Sequence, residues 1–166
     1  MATLNNLKEA FAGESQANRT YLAFAKKAQA DGYPEVAKLF KAAAAAETVH
    51  AHAHLRAMGG VKDTAANLKE AIAGEGHEFQ EMYPAFVAEA EAEGNTAALI
   101  SFKAAMEVEG IHHALYSQAL EAVAAGTDLQ RKAIYVCEIC GNTVYDAAPD
   151  KCPICGAPKA KFFEVI

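Results

Sequence analysis

The segment LKEAFAGES, residues 7–15, returns as LKEAIAGEG, residues 68–76. Both copies place Leu, Ala and Phe or Ile at helical spacing and carry a glutamate as their penultimate residue, Glu14 in the first and Glu75 in the second. Matches continue downstream, pairing Tyr21 with Tyr83, Ala23-Phe24 with Ala85-Phe86, Gly32 with Gly94, Glu47 with Glu109 and His50 with His112, at an offset one residue longer than before. One residue has therefore been added between Glu75 and Tyr83. The pattern predicts two helical hairpins related by duplication. A drifting duplication keeps apolar spacing and loses its charges, so the retained acids and imidazoles need a reason of their own.

Apolar periodicity predicts helices from about Leu4 to Ala30, Glu35 to Met58, Ala65 to Glu93 and Thr96 to Val123, separated by Asp31-Gly32-Tyr33-Pro34, Gly59-Gly60 and Gly94-Asn95. After Gly126 the character changes to strand-prone Ile134, Tyr135 and Val136, then Cys, Pro and Gly punctuation, then Phe162-Phe163-Glu164-Val165-Ile166. The expected organisation is a helical domain over residues 1–126 and a small loop-rich module over residues 132–166. A chain of 166 residues suits one well-buried core and one appendage. Its 52% hydrophobic content without Trp fits close helix contacts through small side chains.

The net charge of −6, with Lys and Arg scattered among Glu, argues against nucleic acid or an anionic membrane as partner. No stretch approaches the ~20 apolar residues that span a bilayer, and no basic start precedes an apolar run, so a cytoplasmic protein is expected.

Glu47-x-x-His50 and Glu109-x-x-His112 each set a carboxylate and an imidazole on one helix face, within reach of one ion. Either motif alone would pass for a solvated face. Each, however, has a Glu in the preceding helix, Glu14 or Glu75, and neighbours such as Phe11, Ala43 to Ala46, Ile72 and Ala104-Ala105 that are too apolar for a solvated stripe. One Glu from each of two helices with Glu-x-x-His from each of the other two is the donor pattern of ferritin-like di-iron and di-manganese proteins. Four carboxylates nearly neutralise two such ions, and oxygen-rich donors favour iron or manganese over zinc.

Glu78 follows Glu75 on the same face and has no carboxylate counterpart in the first copy, which makes it a candidate seventh ligand. The added residue falls beside it and predicts a π-bulge that reorients Glu78 or Tyr83; Pro84 is a rival source of irregularity. Tyr21 and Tyr83 are expected to pack through their rings and to offer hydroxyls to carboxylates or bound oxygen species. Among the remaining histidines, His52, His77 and His113 are read as solvated and His54 as lying at the edge of the site.

All four cysteines form two knuckles, Cys137-Glu138-Ile139-Cys140-Gly141 and Cys152-Pro153-Ile154-Cys155-Gly156. This spacing is a strong tetrahedral four-thiolate signal, and geometry alone suits zinc or iron equally. The Cys-Pro-x-Cys-Gly knuckle with Tyr135, Tyr145 and Phe162-Phe163 resembles rubredoxin, with a shorter interval between the knuckles.

Taken in order, Glu14, Glu47-x-x-His50, Glu75-x-x-Glu78, Glu109-x-x-His112 and a compact cysteine tail resemble the rubrerythrin family. The resemblance implies a ferritin-like four-helix bundle with a small rubredoxin-like β module, two irons in a carboxylate-bridged site and one iron on four cysteines. It implies a peroxidase that reduces hydrogen peroxide to water, with electrons from an NAD(P)H-linked reductase or a rubredoxin passing through the cysteine-bound iron. It also implies that Glu78 and His50 exchange as ligands, making them catalytic together with Tyr21 and Tyr83. Iron storage, or a zinc-bearing regulatory module, would use parts of the same residue set; a storage protein has no need of the cysteine relay.

In such bundles helices two and three run parallel, so the link from Met58 to about Ala65 must return along the bundle. It must cover roughly 30 Å, while about seven extended residues reach only ~25 Å. A domain-swapped homodimer is therefore expected, with Glu14, Glu47 and His50 of one chain meeting Glu75, Glu78, Glu109 and His112 of the other.

Overall fold

The computed structural model describes residues 2–130 and 132–166; Met1, included in the expected helical domain, lies outside them. The chain divides into two compact units, the first ending at Lys62 and the second spanning Asp63–Ile166.

The first unit is a hairpin of α1 (Ala2–Ala30) and α2 (Pro34–Ala57). Alanine decides its packing: Ala25, Ala28, Ala37, Ala44 and Ala51 are its buried apolar residues, and side chains that small let two helices approach closely. The turn is a Schellman motif, in which Tyr33 N–H reaches back to Ala28 O at 2.9 Å and Gly32 takes the left-handed conformation at φ 84°. Asn18 is buried among these alanines, and its amide donates to Ala44 O at 2.6 Å and Thr48 Oγ1 at 2.8 Å. Its burial is thereby compensated.

The second unit contains α3 (Thr64–His77), a π-helical turn over Glu78–Met82, α4 (Tyr83–Ala92) and α5 (Thr96–Ala124). Asp63 caps α3 by accepting from Ala66 N at 2.8 Å, and Asn95 caps α5 by accepting from Ala98 N at 3.1 Å. The α4–α5 turn repeats the first one: Asn95 N–H bonds Ala90 O at 2.9 Å and Gly94 has φ 67°.

The predicted π-bulge is present. Tyr83 N–H donates to Glu78 O, a bond five residues back that only a π turn makes. Pro84, which has no N–H to donate, follows the π turn as the second residue of α4, while α1 runs unbroken through the matching stretch. The added residue is thus absorbed in the π turn.

Three antiparallel strands follow, β1 (Ile134–Cys137), β2 (Thr143–Tyr145) and β3 (Phe162–Glu164), in the order β2-β1-β3. Register pairs Val136 with Thr143 and Cys137 with Phe162. The first knuckle therefore hangs between β1 and β2.

Candidate metal centres

Helical spacing does the first work at both carboxylate clusters. Glu47 and His50, one turn apart on α2, turn the same way, and the imidazole Nδ1 lies 2.9 Å from Glu47 Oε2. Close packing of α1 on α2 brings Glu14 Oε1 to 3.8 Å from the same nitrogen. The second unit repeats the arrangement: His112 Nδ1 lies 2.8 Å from Glu109 Oε2 and 3.8 Å from Glu75 Oε1. In each trio one donor atom per residue lies within 4.8 Å of the others, a spread that one ion with bonds of ~2.1 Å can gather.

Electrostatics gives the same reading. Glu14 is raised above the usual carboxylate range by its hydrogen bond with Glu47, whereas Glu47 is lowered by that bond and by His50. Two carboxylates held this close oppose each other's ionisation, and a cation between them would favour the charged form of both. Burial, then the neighbouring Glu109 and Glu78, pushes Glu75 up to about 7.

Aromatic clusters below the donors repeat as well. Tyr21 lies 6.2 Å from Phe40, and Phe24 lies 5.6 Å from Phe40; Tyr83 lies 6.2 Å from Phe102, and Phe86 lies 5.5 Å from Phe102. The two tyrosine rings pack as expected, and neither hydroxyl has a hydrogen-bond partner among the described residues. Burial, then Glu78, Glu109 and Glu75, raises the Tyr83 phenol, so it stays protonated beside the carboxylates.

Glu78 opens the π turn and is half-buried, but it stands outside the trio of gathered donor atoms. His52 and His77 are exposed as expected, and His77 pairs with Glu81 at 3.2 Å. His113 departs from expectation: it is half-buried, tilted edge-on to Phe79 at 5.4 Å. The π turn carries Phe79, so this packing depends on a distortion that a regular helical projection omits.

The apolar enclosure expected around the donors is also only partial. Ala12, Gly13, Ala45 and Ala46 are exposed, and the His50 side chain retains 54% of its accessible surface.

The four cysteines are gathered with free thiols. Cys137 and Cys155 sulfurs lie 3.7 Å apart, and those of Cys140 and Cys152 3.6 Å apart. These separations are too long for disulfides and match the ~3.8 Å edge of a tetrahedron with ~2.3 Å metal–sulfur bonds. Burial alone would raise the Cys152 thiol, yet the amides of Cys155 and Ile154 aimed at its sulfur bring it down to about 7. Burial holds Cys140 far above its usual value. Four sulfurs gathered at these separations form a donor set that one cation would complete.

Two residues unremarked in the sequence belong to this region. Asn142 is buried and directs its amide at Cys152 Sγ, 3.6 Å away. Thr143 Oγ1 lies 3.0 Å from His112 Nε2, joining the cysteine module to the carboxylate trio of the same unit.

Carboxylate–imidazole trios on duplicated hairpins, with a four-thiolate site on a small antiparallel sheet, define a ferritin-like helical metalloprotein with a rubredoxin-like module. The comparisons with known proteins carry the assignment further. The rubrerythrin family model matches residues 5–120, and the model of rubrerythrin's rubredoxin-like domain matches residues 135–163. The chain belongs to the rubrerythrin family. It is 34% identical to rubrerythrin-2 of Clostridium acetobutylicum over 174 residues, covering 96% of this chain and 95% of that protein. It is 39% identical to nigerythrin of Nitratidesulfovibrio vulgaris over 175 residues, covering 97% of this chain and 85% of the relative. Among solved structures it is similar to fully reduced, all-ferrous nigerythrin, with a TM-score of 0.59 at 34% identity, covering 98% of this chain and 86% of that one.

Rubrerythrins are di-iron oxidoreductases of oxidative stress with peroxidase activity. The donor sets here fit the cofactors of the family: a di-iron site drawing on Glu14, Glu47, His50, Glu75, Glu109 and His112, and one iron on Cys137, Cys140, Cys152 and Cys155.

Proposed function

We propose that this protein reduces hydrogen peroxide to water at its carboxylate–imidazole site, drawing electrons through the four-cysteine site from an NAD(P)H-linked reductase or a rubredoxin. The observation that carries the reading is the direct link between the two kinds of site, Thr143 of the cysteine module bonded to His112 of the carboxylate trio. A storage protein gains nothing from such a link. Two irons at the carboxylates would supply the electron pair that cleaves the O–O bond, and a thiolate-bound iron would resupply it. The balance is one peroxide, two electrons and two protons giving two waters.

The chain's own residues orient the substrate and manage the protons. Tyr83, kept protonated, stands ready to donate toward an oxygen species at the site, and Tyr21 holds the matching place in the first hairpin. Glu78 on the widened π turn and His50 with its exposed ring are the ligands assigned to exchange between oxidised and reduced states. Among the described residues no helix is long and apolar enough to cross a membrane. We place the protein in the cytoplasm, acting without nucleic acid or membrane partners.

The active form is proposed to be a domain-swapped homodimer. Schellman bonding closes α2 at its C-terminus, with Gly60 N–H on Leu55 O at 3.0 Å and Gly59 at φ 69°, so no further turn unwinds to lengthen the link. Residues 58–63 then join α2 to α3. Fully extended, the seven steps from Ala57 to Thr64 reach about 25 Å, short of the roughly 30 Å that parallel helices with level donors require. The exposed Val49 and Leu39 on α2 offer apolar surface for a second copy.

The relay is tested by Cys137→Ser. In iron-loaded protein a single oxidation of the carboxylate site by peroxide should proceed at the parent rate, while steady-state turnover with a reductase should fall by more than tenfold. Equal loss of both would remove the relay.

A further inference from the structure

The two Glu-x-x-His motifs are near copies on the carboxylate side of the ring and unlike on the other. Nδ1 faces the two glutamates at 2.8 and 3.8 Å in His112 and at 2.9 and 3.8 Å in His50. Nε2 of His112 meets Thr143 Oγ1 at 3.0 Å, whereas Nε2 of His50 has no hydrogen-bond partner among the described residues. The side-chain exposures follow, 27% for His112 against 54% for His50.

The direction of the His112 bond is determined by its neighbour. Thr143 Oγ1 also lies 3.1 Å from Gly141 O, and a carbonyl oxygen only accepts. The single hydroxyl proton of Thr143 is therefore committed to Gly141, and Oγ1 is left to accept from His112. Nε2 must therefore carry a proton, and the ring is turned so that Nδ1 faces Glu109 and Glu75. A metal at the trio would take Nδ1 in this orientation while Thr143 holds Nε2–H.

The backbone holds this arrangement from the module's side. Gly141 adopts φ 84° and directly follows Cys140. A Cβ at Gly141 would come 3.6 Å from Val108 of α5, so the knuckle lies against the helix that bears His112. His112 and Thr143 share the wall of a cavity of about 380 Å³ that Leu68, Leu115, Ile134, Tyr116 and Tyr145 also line.

We infer that Thr143 is a positioning residue for His112: through the chain His112 Nε2–H to Thr143 Oγ1–H to Gly141 O it holds the ring with Nδ1 toward the two glutamates and ties that ring to the first cysteine knuckle. The Glu75/Glu109/His112 half of the site thus has an anchored imidazole, and the Glu14/Glu47/His50 half an unanchored one. The inference rests on the reading that these trios hold metal, but the Nε2–H bond to Thr143 is made without one.

The test compares the full chain with Thr143→Val, Thr143→Ala and Thr143→Ser, using His50 as internal control. With one equivalent of zinc per chain, enough for the four thiolates, the His112 Nε2–H proton should exchange slowly with solvent in the parent and in Thr143→Ser. In the Val and Ala variants it should exchange ~10-fold faster, while the His50 ring protons stay unchanged. With excess zinc, chelator competition should show a ~10- to 100-fold loss of affinity at the carboxylate trio in Val and Ala, restored by Ser, with cysteine-site affinity unaltered. Circular dichroism identifies any variant that fails to fold, and Ala needs no more room than Thr. Unchanged His112 Nε2–H exchange in folded Val and Ala variants would overturn the inference. A parent trio that takes no zinc while that exchange still depends on Thr143 would overturn the metal reading and leave the positioning role standing.

Discussion

Mixing two inactive variants should regenerate activity if the site is swapped between chains. Glu14, Glu47 and His50 lie in the unit ending at Lys62, and Glu75, Glu109 and His112 in the unit beginning at Asp63, so each donor trio can be disabled without touching the other. Glu47→Ala/His50→Ala removes two donors from the first trio, and Glu109→Ala/His112→Ala two from the second. Each variant alone forms only homodimers in which every site pairs one disabled trio with one intact trio. Unfolded together and refolded at equal concentration, the two chains pair at random and about half the dimers are mixed. A swapped mixed dimer joins both disabled trios in one site and both intact trios in the other. About a quarter of all sites should then be complete, and peroxidase activity should rise from background to about a quarter of the parent's. Steady-state peroxide reduction after reloading with iron reads the result, and separation of differently tagged dimers assigns the activity to the mixed species. If both trios of a site come from one chain, no species contains a complete site, and activity at background in the mixed dimer would refute the swap.

The raised Glu75 carboxyl carries a pH signature in metal-free protein. Its folded value of about 7 lies above the reference of 4.5, so between these limits the folded chain binds more protons than the unfolded one, and stability falls as pH rises through the window. Allowing for solvent screening, the loss from pH 4.5 to 7 attributable to this group is about 1 kcal/mol. Urea unfolding of the parent and Glu75→Gln across that range should differ in slope by this amount; parallel slopes would count against it. Ala44→Leu adds bulk in the α1–α2 contact, at a residue 1% exposed, and should cost about 2 kcal/mol. The helical circular dichroism signal should then melt roughly 4–8 °C lower, and an unchanged melting temperature would mean that the hairpin relaxes to accept the larger side chain.

Much of the metal chemistry was legible because the chain contains its own ruler. Comparing its halves isolates Glu14 and Glu75, Glu47 and Glu109, His50 and His112 as retained polar residues on apolar faces. The change of offset between Glu75 and Tyr83 placed the π turn within a few residues of where it lies, Glu78–Met82. Helix ends were written locally, by Gly at left-handed turns and by Asp63 and Asn95 as caps, and the two cysteine knuckles read directly as a four-thiolate site.

What the sequence by itself determined is the inventory: helices, their stops, two donor trios and four thiolates, all set by spacing along single elements or by repetition. The tertiary structure decided which residues attend those donors. Asn142 reaches Cys152 and Thr143 reaches His112 across separations that carry no periodic signal. His113 packs on Phe79 because a π turn rotates the latter, and the alanines around Glu14 and Glu47 are apolar by composition yet open to solvent on their hairpin. Periodicity reports which face of one helix is apolar. Which surface meets that face depends on how distant segments pack, and here that packing makes one of two matching histidines anchored and the other free.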